Sequence, residues 1–469
     1  DAGSGLAPGR LGVWAIVFFV MSAAAPLTVV VSGAPLTVAL GGIGGPGAML
    51  AAGVVLMLFA VGFTAMSQHI TNAGAFYAYV TQGLGRAMGS GVAVMTTVGY
   101  VLLLISLYGF LGYYAHNTAD ELFGIELPWW VWALVAVAII AFLGVRQVDV
   151  GARVLAVLLT AEVAIILAVS VAVLIKGGPE PLSLAPFNPH NWLVAPGAGT
   201  LFVLGFGAYI GFEGTAIYAE EAKQPHRTIP RATYIAIGFL AVFYAFAFWC
   251  FILAFGVNGV QAAVTGDDMG ELPFTQVEQY LGTMAVKTAE ILIVTSFLAG
   301  IIAFHNAAAR YLFALGRGRL LPAWLGHTHP VYRSPARASY LLSAVSAAAI
   351  VVAFAFGWDP FIDLGNKPYS MAVIAIVASQ AICAVAVVAY FARDRRGFSV
   401  GRALVAPALG AAGLIAGTWL IASNFEIVSG YSGVVNVMLL SVAPAFFVIG
   451  VIGHFLTHDR AAMEPDLGT

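Results

Sequence analysis

Tyr209-Ile-Gly-Phe-Glu-Gly-Thr215 stands inside a long apolar run at 198–221. Two helix-weakening glycines and a carboxylate occupy a place where a membrane helix needs every backbone hydrogen bond. Composition is what puts this stretch in lipid. Of 469 residues, 61% are hydrophobic and 9% charged, and the mean hydropathy is +0.94. Soluble domains carry about 25% charged residues, and in water a chain of this size has no way to hide so much apolar surface. The chain reads as a polytopic membrane protein. Its two cysteines, Cys250 and Cys383, fall in different apolar runs and read as small buried hydrophobes, with no disulfide framework, metal site or cofactor expected. The start, Asp1 to Arg10, shows no cleavable leader, and the absent initiator Met reads as trimming.

A helical span takes about 20 apolar residues. Such runs lie at 11–40, 48–67, 87–115, 129–145, 151–175, 198–221, 230–256, 284–314, 338–357, 368–391, 403–422 and 433–456, which predicts twelve spans. The runs are long and rarely alternate, which argues against a β-barrel. With the N-terminus in the cytoplasm, only Lys176, Lys287 and Lys367 of the 20 Lys and Arg residues fall outside. By the positive-inside rule both termini are therefore expected in the cytoplasm of a plasma-membrane protein. The longer outer connections are 177–197, rich in Pro and Asn, and 258–283, whose acids Asp267, Asp268, Glu271 and Glu278 read as a solvated face. The chain divides into a cytoplasmic segment 1–10, a core 11–391, two peripheral spans within 392–456, and a cytoplasmic tail 457–469.

Irregular backbone survives at membrane depth only where protein or a water-filled cavity surrounds it. Gly211 and Gly214 weaken the sixth span near its middle, and unwinding there frees groups that can ligate a polar solute. The first span has its own weak point in Met21-Ser-Ala-Ala-Ala-Pro26, where Pro26 removes a donor. A break at 22–26 would divide 11–40 into two half-helices; a simple proline kink is the alternative. Ser32-Gly-Ala-Pro35 is a second candidate. Interruptions five spans apart favour a five-plus-five repeat.

The residues also carry a family resemblance. Phe206-Gly-Ala-Tyr-Ile-Gly-Phe-Glu-Gly214, followed by Ala219-Glu-Glu-Ala-Lys-Gln-Pro-His-Arg-Thr-Ile-Pro230, resembles the sixth-helix signature of the amino acid–polyamine–organocation (APC) superfamily. Thr71-Asn-Ala-Gly-Ala-Phe-Tyr-Ala-Tyr79 with Gly83-Leu-Gly85, and Asn306 through Pro322, are similar to two further segments of that family. The resemblance implies an all-α, LeuT-like fold of ten core helices in two inverted halves, with helices one and six broken and two peripheral helices. It implies a permease, not an enzyme, that moves an amino acid or related amine by alternating access with protons or Na⁺, or by exchange. The carry-over places substrate near Ser22, Ala23, Ala24 and Ala25, and near Ala208, Tyr209, Gly211, Phe212 and Gly214. Many members have a Gly-Ser-Gly type break in helix one, where this chain has Ser-Ala-Ala-Ala-Pro. A substrate carboxylate is then bound differently, or the substrate lacks one.

Carboxyl groups at bilayer depth are functional by default. Glu213 follows Gly211 and reads as a strut that bonds the freed backbone or a neighbouring helix; substrate contact is the alternative. Glu162 sits mid-span in Leu159-Thr-Ala-Glu-Val-Ala164, close to where related transporters often place a Lys. Burial disfavours its charged form, so it can load and release a proton. Anchoring a cationic substrate, holding Na⁺, or bonding a helix neighbour are the other roles open to it. Glu290 is expected near the outer end of the eighth span, in contact with water. Thr295 and Ser296 either complete a Na⁺ site with helix-one carbonyls or bond their own backbone. Glu220, Glu221, Lys223, Arg227 and Arg310 form an inner gate of ion pairs or simply set topology. Tyr209, Phe212 and Tyr218 offer rings for a lid, for cation–π contact with an ammonium, or for packing. His69, His116 and His305 show no metal-ligand spacing.

No ringed selectivity element argues for a passive channel. No catalytic constellation, Walker A motif or nucleic-acid-binding pattern is present. The expected partners are a small-molecule substrate, a proton or Na⁺, and the lipid bilayer.

Overall fold

The computed structural model describes residues 12–70, 76–146, 152–217, 222–266, 269–318, 320–332 and 334–456. Tyr218, Glu220 and Glu221, and with them the acidic side of the expected inner gate, lie outside these residues, as do both chain ends. The described residues form helices and no strand.

The first expected span is two helices, α1 (Val13–Ala24) and α2 (Pro26–Gly41). Ala25 between them is left-handed, with φ 43°. Pro26 follows as the first residue of α2, the helical position where a missing N–H matters least. At the other candidate, α2 runs on through Pro35 without a stop. The chain continues through α3 (Gly45–Met66), the short α4 (Phe76–Leu84), α5 (Arg86–Phe123), α6 (Trp129–Arg146) and α7 (Ala152–Lys176). The sixth expected span is again cut, into α8 (Leu201–Gly207) and α9 (Gly214–Ile217). Beyond it come α10 (Pro225–Phe255), α11 (Val260–Ala263), α12 (Leu272–Leu281) and α13 (Thr283–Arg317). The last elements are α14 (Ala336–Ala355), α15 (Lys367–Arg393), α16 (Ala406–Ser423), α17 (Phe425–Ser429) and α18 (Gly433–Leu456).

Ten helical stretches among the described residues are long and apolar enough to cross a membrane. The first of these, Val13–Met66, takes in both of the first two expected spans. The broken sixth is in pieces too short to count.

The interrupted helices lie inside the bundle. The pair α1–α2 packs against α7, α10 and α13; α8 packs against α2, α3 and α15. Small residues let the helices close in. A methyl on Gly109 of α5 would stand 2.8 Å from the Pro360 carbonyl oxygen, in the turn that leads into α15. Helix α4 is tied down from α15: the Arg393 guanidinium donates to the carbonyls of Gln82 and Gly83 at 3.3 and 3.1 Å. The apolar stretch of α15 is 72% buried, against 17% for α18, which leaves most of α18 facing outward.

Candidate functional site

Helix α1 stops because Pro26 has no N–H for the Ser22 carbonyl and because the Leu27 N–H turns elsewhere. It donates at 3.3 Å to Glu162 Oε2, a carboxylate on α7. The same oxygen accepts from the Ser296 hydroxyl of α13 at 2.8 Å. Glu162 therefore clasps the helix-one interruption to two other helices, and only 4% of its surface is exposed. Thr295 bonds its own helix, donating to the Leu292 carbonyl at 3.0 Å. The Tyr244 hydroxyl reaches the Ala24 carbonyl at 3.4 Å.

The second interruption runs from Ala208 to Glu213 as a string of tight turns. Tyr209, Ile210, Phe212 and Gly214 each donate their N–H three residues back. Gly211 sits at φ 112°, a conformation that side-chain-bearing residues rarely adopt. Its N–H donates to Glu213 Oε2 at 3.0 Å, while the Tyr100 hydroxyl of α5 donates to Glu213 Oε1 at 2.7 Å. Glu213 is 1% exposed and accepts one bond from freed backbone and one from a neighbouring helix.

The two interruptions face each other. A methyl on Gly211 would lie 3.5 Å from Ala23 Cβ, and one on Gly300 of α13 would lie 3.4 Å from Ala25 Cβ. Between them is a cavity of about 40 Å³. At roughly 10–15 Å³ per water, it holds about three water molecules. Ala23, Ala24, Ala25 and Ala208 line it, and so do Thr28, Leu103, Leu107, Phe297, Gly300, Phe304 and Tyr369, which sequence reasoning did not single out. Phe297, Gly300 and Phe304 follow Ser296 on α13 at helical spacing, a stripe that was readable beside the hydroxyl pair. A larger cleft of about 410 Å³ lies at the far end of α2, between Gly41, Gly42, Asn191 and Gln261.

Other candidates are not part of the cavity lining. The Tyr209 hydroxyl donates to the Met49 carbonyl of α3 at 2.8 Å, with no part of the residue exposed. Phe212 packs edge-on against Phe59 and Phe63. The Ser22 hydroxyl bonds back to the Phe18 carbonyl at 2.8 Å. Gly214 has open space about it. Arg310 is exposed on α13. Glu290 departs from expectation: it is 3% exposed rather than wetted, because α5 and α12 cover this part of α13. The Thr118 hydroxyl of α5 donates to its carbonyl at 3.3 Å, and its Oε2 has no hydrogen-bond partner among the described residues. No group of three or more His, Cys, Asp or Glu among the described residues is placed to hold a metal.

A many-helix membrane bundle with two interrupted helices around a small interior cavity defines the class as a multi-pass membrane protein. Residues 11–452 match the amino acid permease family, and the chain belongs to that family. This sets it among permeases rather than enzymes. It is 29% identical to an uncharacterized transporter of Mycobacterium tuberculosis, over 44% of this chain and 46% of the relative. A low-affinity putrescine importer of Escherichia coli is 25% identical over 62% of this chain and 65% of its own length. A chloroplastic cationic amino acid transporter of Arabidopsis thaliana is 24% identical over 63% and 52%. The alignments thus span about half to two thirds of these relatives.

Proposed function

We propose that the chain is a secondary active transporter of an amino acid or organic amine, working by alternating access and coupled to protons through Glu162. The observation that carries this reading is the pair of interrupted helices meeting across a small cavity. Free main-chain carbonyls at mid-bilayer are tolerated only in such a setting, and they are the means by which transporters of this kind bind polar cargo. The relatives, named for putrescine import and cationic amino acid transport, support the substrate class.

In this reading Glu162 is the coupling group. As a carboxylate it holds the Leu27 N–H and the Ser296 hydroxyl on one oxygen. Charge-assisted hydrogen bonds are roughly twice as strong as neutral ones. Taking up a proton weakens both and releases the helix-one interruption from α13. Opening then enlarges a cavity that, at about 40 Å³, is too small for cargo. Ser296 acts with Glu162, and Thr295 stands beside it. Glu213 and Pro26 hold the shapes of the two interruptions. Tyr209, Phe212 and Gly214 support the second from behind, Ser22 and Gly211 flank the cargo, and Tyr218, Glu220, Glu221 and Arg310 gate the cytoplasmic side.

Counting Val13–Met66 as two spans and adding the interrupted sixth gives twelve, in two inverted halves of five plus a peripheral pair. The Lys and Arg distribution supports cytoplasmic termini in a plasma membrane. The test is uptake into proteoliposomes with and without an imposed pH gradient. Uptake is expected to rise with an inward proton gradient and to lose its pH dependence in Glu162→Gln, with the variant still folded. Equal pH dependence in wild type and variant removes Glu162 from the mechanism, and uptake that follows a Na⁺ gradient instead replaces the proton.

A further inference from the structure

The hydrogen-bonding groups around the cavity are strongly one-sided. The first four residues of a helix normally leave free N–H donors, and these attract anions. At α2 none remains. Pro26 has no N–H, Leu27 donates to Glu162 at 3.3 Å, and Thr28 and Val29 donate to the Ala25 carbonyl at 3.0 and 3.3 Å. The second interruption is the same: its turns consume the N–H groups of Tyr209, Ile210, Phe212 and Gly214, and Glu213 takes that of Gly211. Each interruption thus has its odd donor capped by a carboxyl group belonging to the protein.

Acceptors are left over. The carbonyls of Ala23, Ala208 and Ile210 receive no hydrogen bond among the described residues, and that of Ala24 receives only the long one from Tyr244. All four residues line the cavity. The Thr28 hydroxyl is spent on the Ala25 carbonyl at 2.7 Å, and among the described residues no Lys or Arg lines the wall. One hydroxyl, that of Tyr369, is left to donate, and it is neutral. A carboxylate placed here would meet bare carbonyls and two neighbouring carboxyl groups with no cation to offset them, and burying such a charge unpaired is strongly unfavourable. An ammonium group would find the acceptors it needs, with the rings of Phe297 and Phe304 in the same wall.

The geometry points to a cargo that carries an amine and no carboxylate: a mono- or diamine rather than an amino acid. This rests on the transport reading and narrows its substrate class. The test pairs each amino acid with its amine and its amide: lysine with cadaverine and lysinamide, ornithine with putrescine, alanine with ethylamine and alaninamide. Thermal stabilisation of the purified protein reads binding, and proteoliposome uptake reads transport. Amines and amides are expected to stabilise the protein at concentrations at least tenfold below the matching amino acids. Amino acids that bind as well as their amines overturn the inference while leaving the transport reading intact. Amines that bind without being taken up do the reverse. Binding by no member of any pair overturns the inference too.

Two variants separate charge from geometry. Glu162→Ala frees the Leu27 N–H, and Glu162→Gln keeps an acceptor on it without the charge. Both are expected to shrink the preference for amine over amino acid, Glu162→Ala more. An unchanged preference in a folded Glu162→Gln protein overturns the role given to the internal carboxylate.

Discussion

The two interruptions solve one problem by opposite means. In the first, a single residue, Ala25, breaks the helix, and the carboxylate that quiets the loose N–H comes from Glu162, 135 residues away in sequence. In the second, the backbone wanders from Ala208 to Glu213, and the carboxylate is only two residues from the N–H it serves. The first is narrow and held from outside; the second is broad and holds itself. A break held by another helix changes when that helix or its carboxyl group changes. A self-held break keeps its shape. The first therefore suits a moving part and the second a fixed wall.

The largest effect expected from this contrast is at Glu213. Replacing it with Ala strands the Gly211 N–H and the Tyr100 hydroxyl in a buried place, at about 1–3 kcal/mol each. Denaturant or thermal unfolding in detergent should show a loss of at least about 2 kcal/mol. Glu162→Ala strands less, because the Ser296 hydroxyl can turn to its own helix. A loss of about 1–2 kcal/mol is expected by the same cost per orphaned group. Equal losses at the two sites would break the contrast.

Backbone conformation gives a finer test. Gly211→Ala forces a side chain to φ 112° and is expected to cost about 1–3 kcal/mol. Ala25 already carries left-handed strain of about 1–2 kcal/mol. Ala25→Gly relieves it but gives up one buried methyl, about 0.8 kcal/mol. The net should be a gain of no more than about 1 kcal/mol, visible as a small rise in Tm. A clear loss at Ala25→Gly would mean that the methyl facing Gly300 matters more than the strain.

The sequence showed where the helices would break, because glycine and proline act locally. Pro26 lacks a donor in any context, and Gly211 is where φ turns positive. It also placed Glu213 at a break, since its backbone partner is a near neighbour. It did not show what completes each site. Tyr100 meets Glu213 across 113 residues, and Ser296 meets Glu162 across 134. Such pairings depend on which helix faces lie together, and helices apolar on nearly every side give little sign of which faces meet. Pro35 misled for a related reason: a proline inside a membrane helix is tolerated when neighbours crowd the freed carbonyl. Glu290 misled because depth along a helix says nothing of what α5 and α12 lay over it.

The length of α5 has one more consequence. Its 38 residues extend about 57 Å at 1.5 Å per residue, while the hydrocarbon layer is about 30 Å thick. Roughly a third to a half of it must stand among headgroups or in water over the usual range of tilt. Such a mast is indifferent to the thickness of its host. Thin and thick bilayers slide along it like water along a pier, and the lipid length that best supports the protein is set by its shorter neighbours α6 and α14.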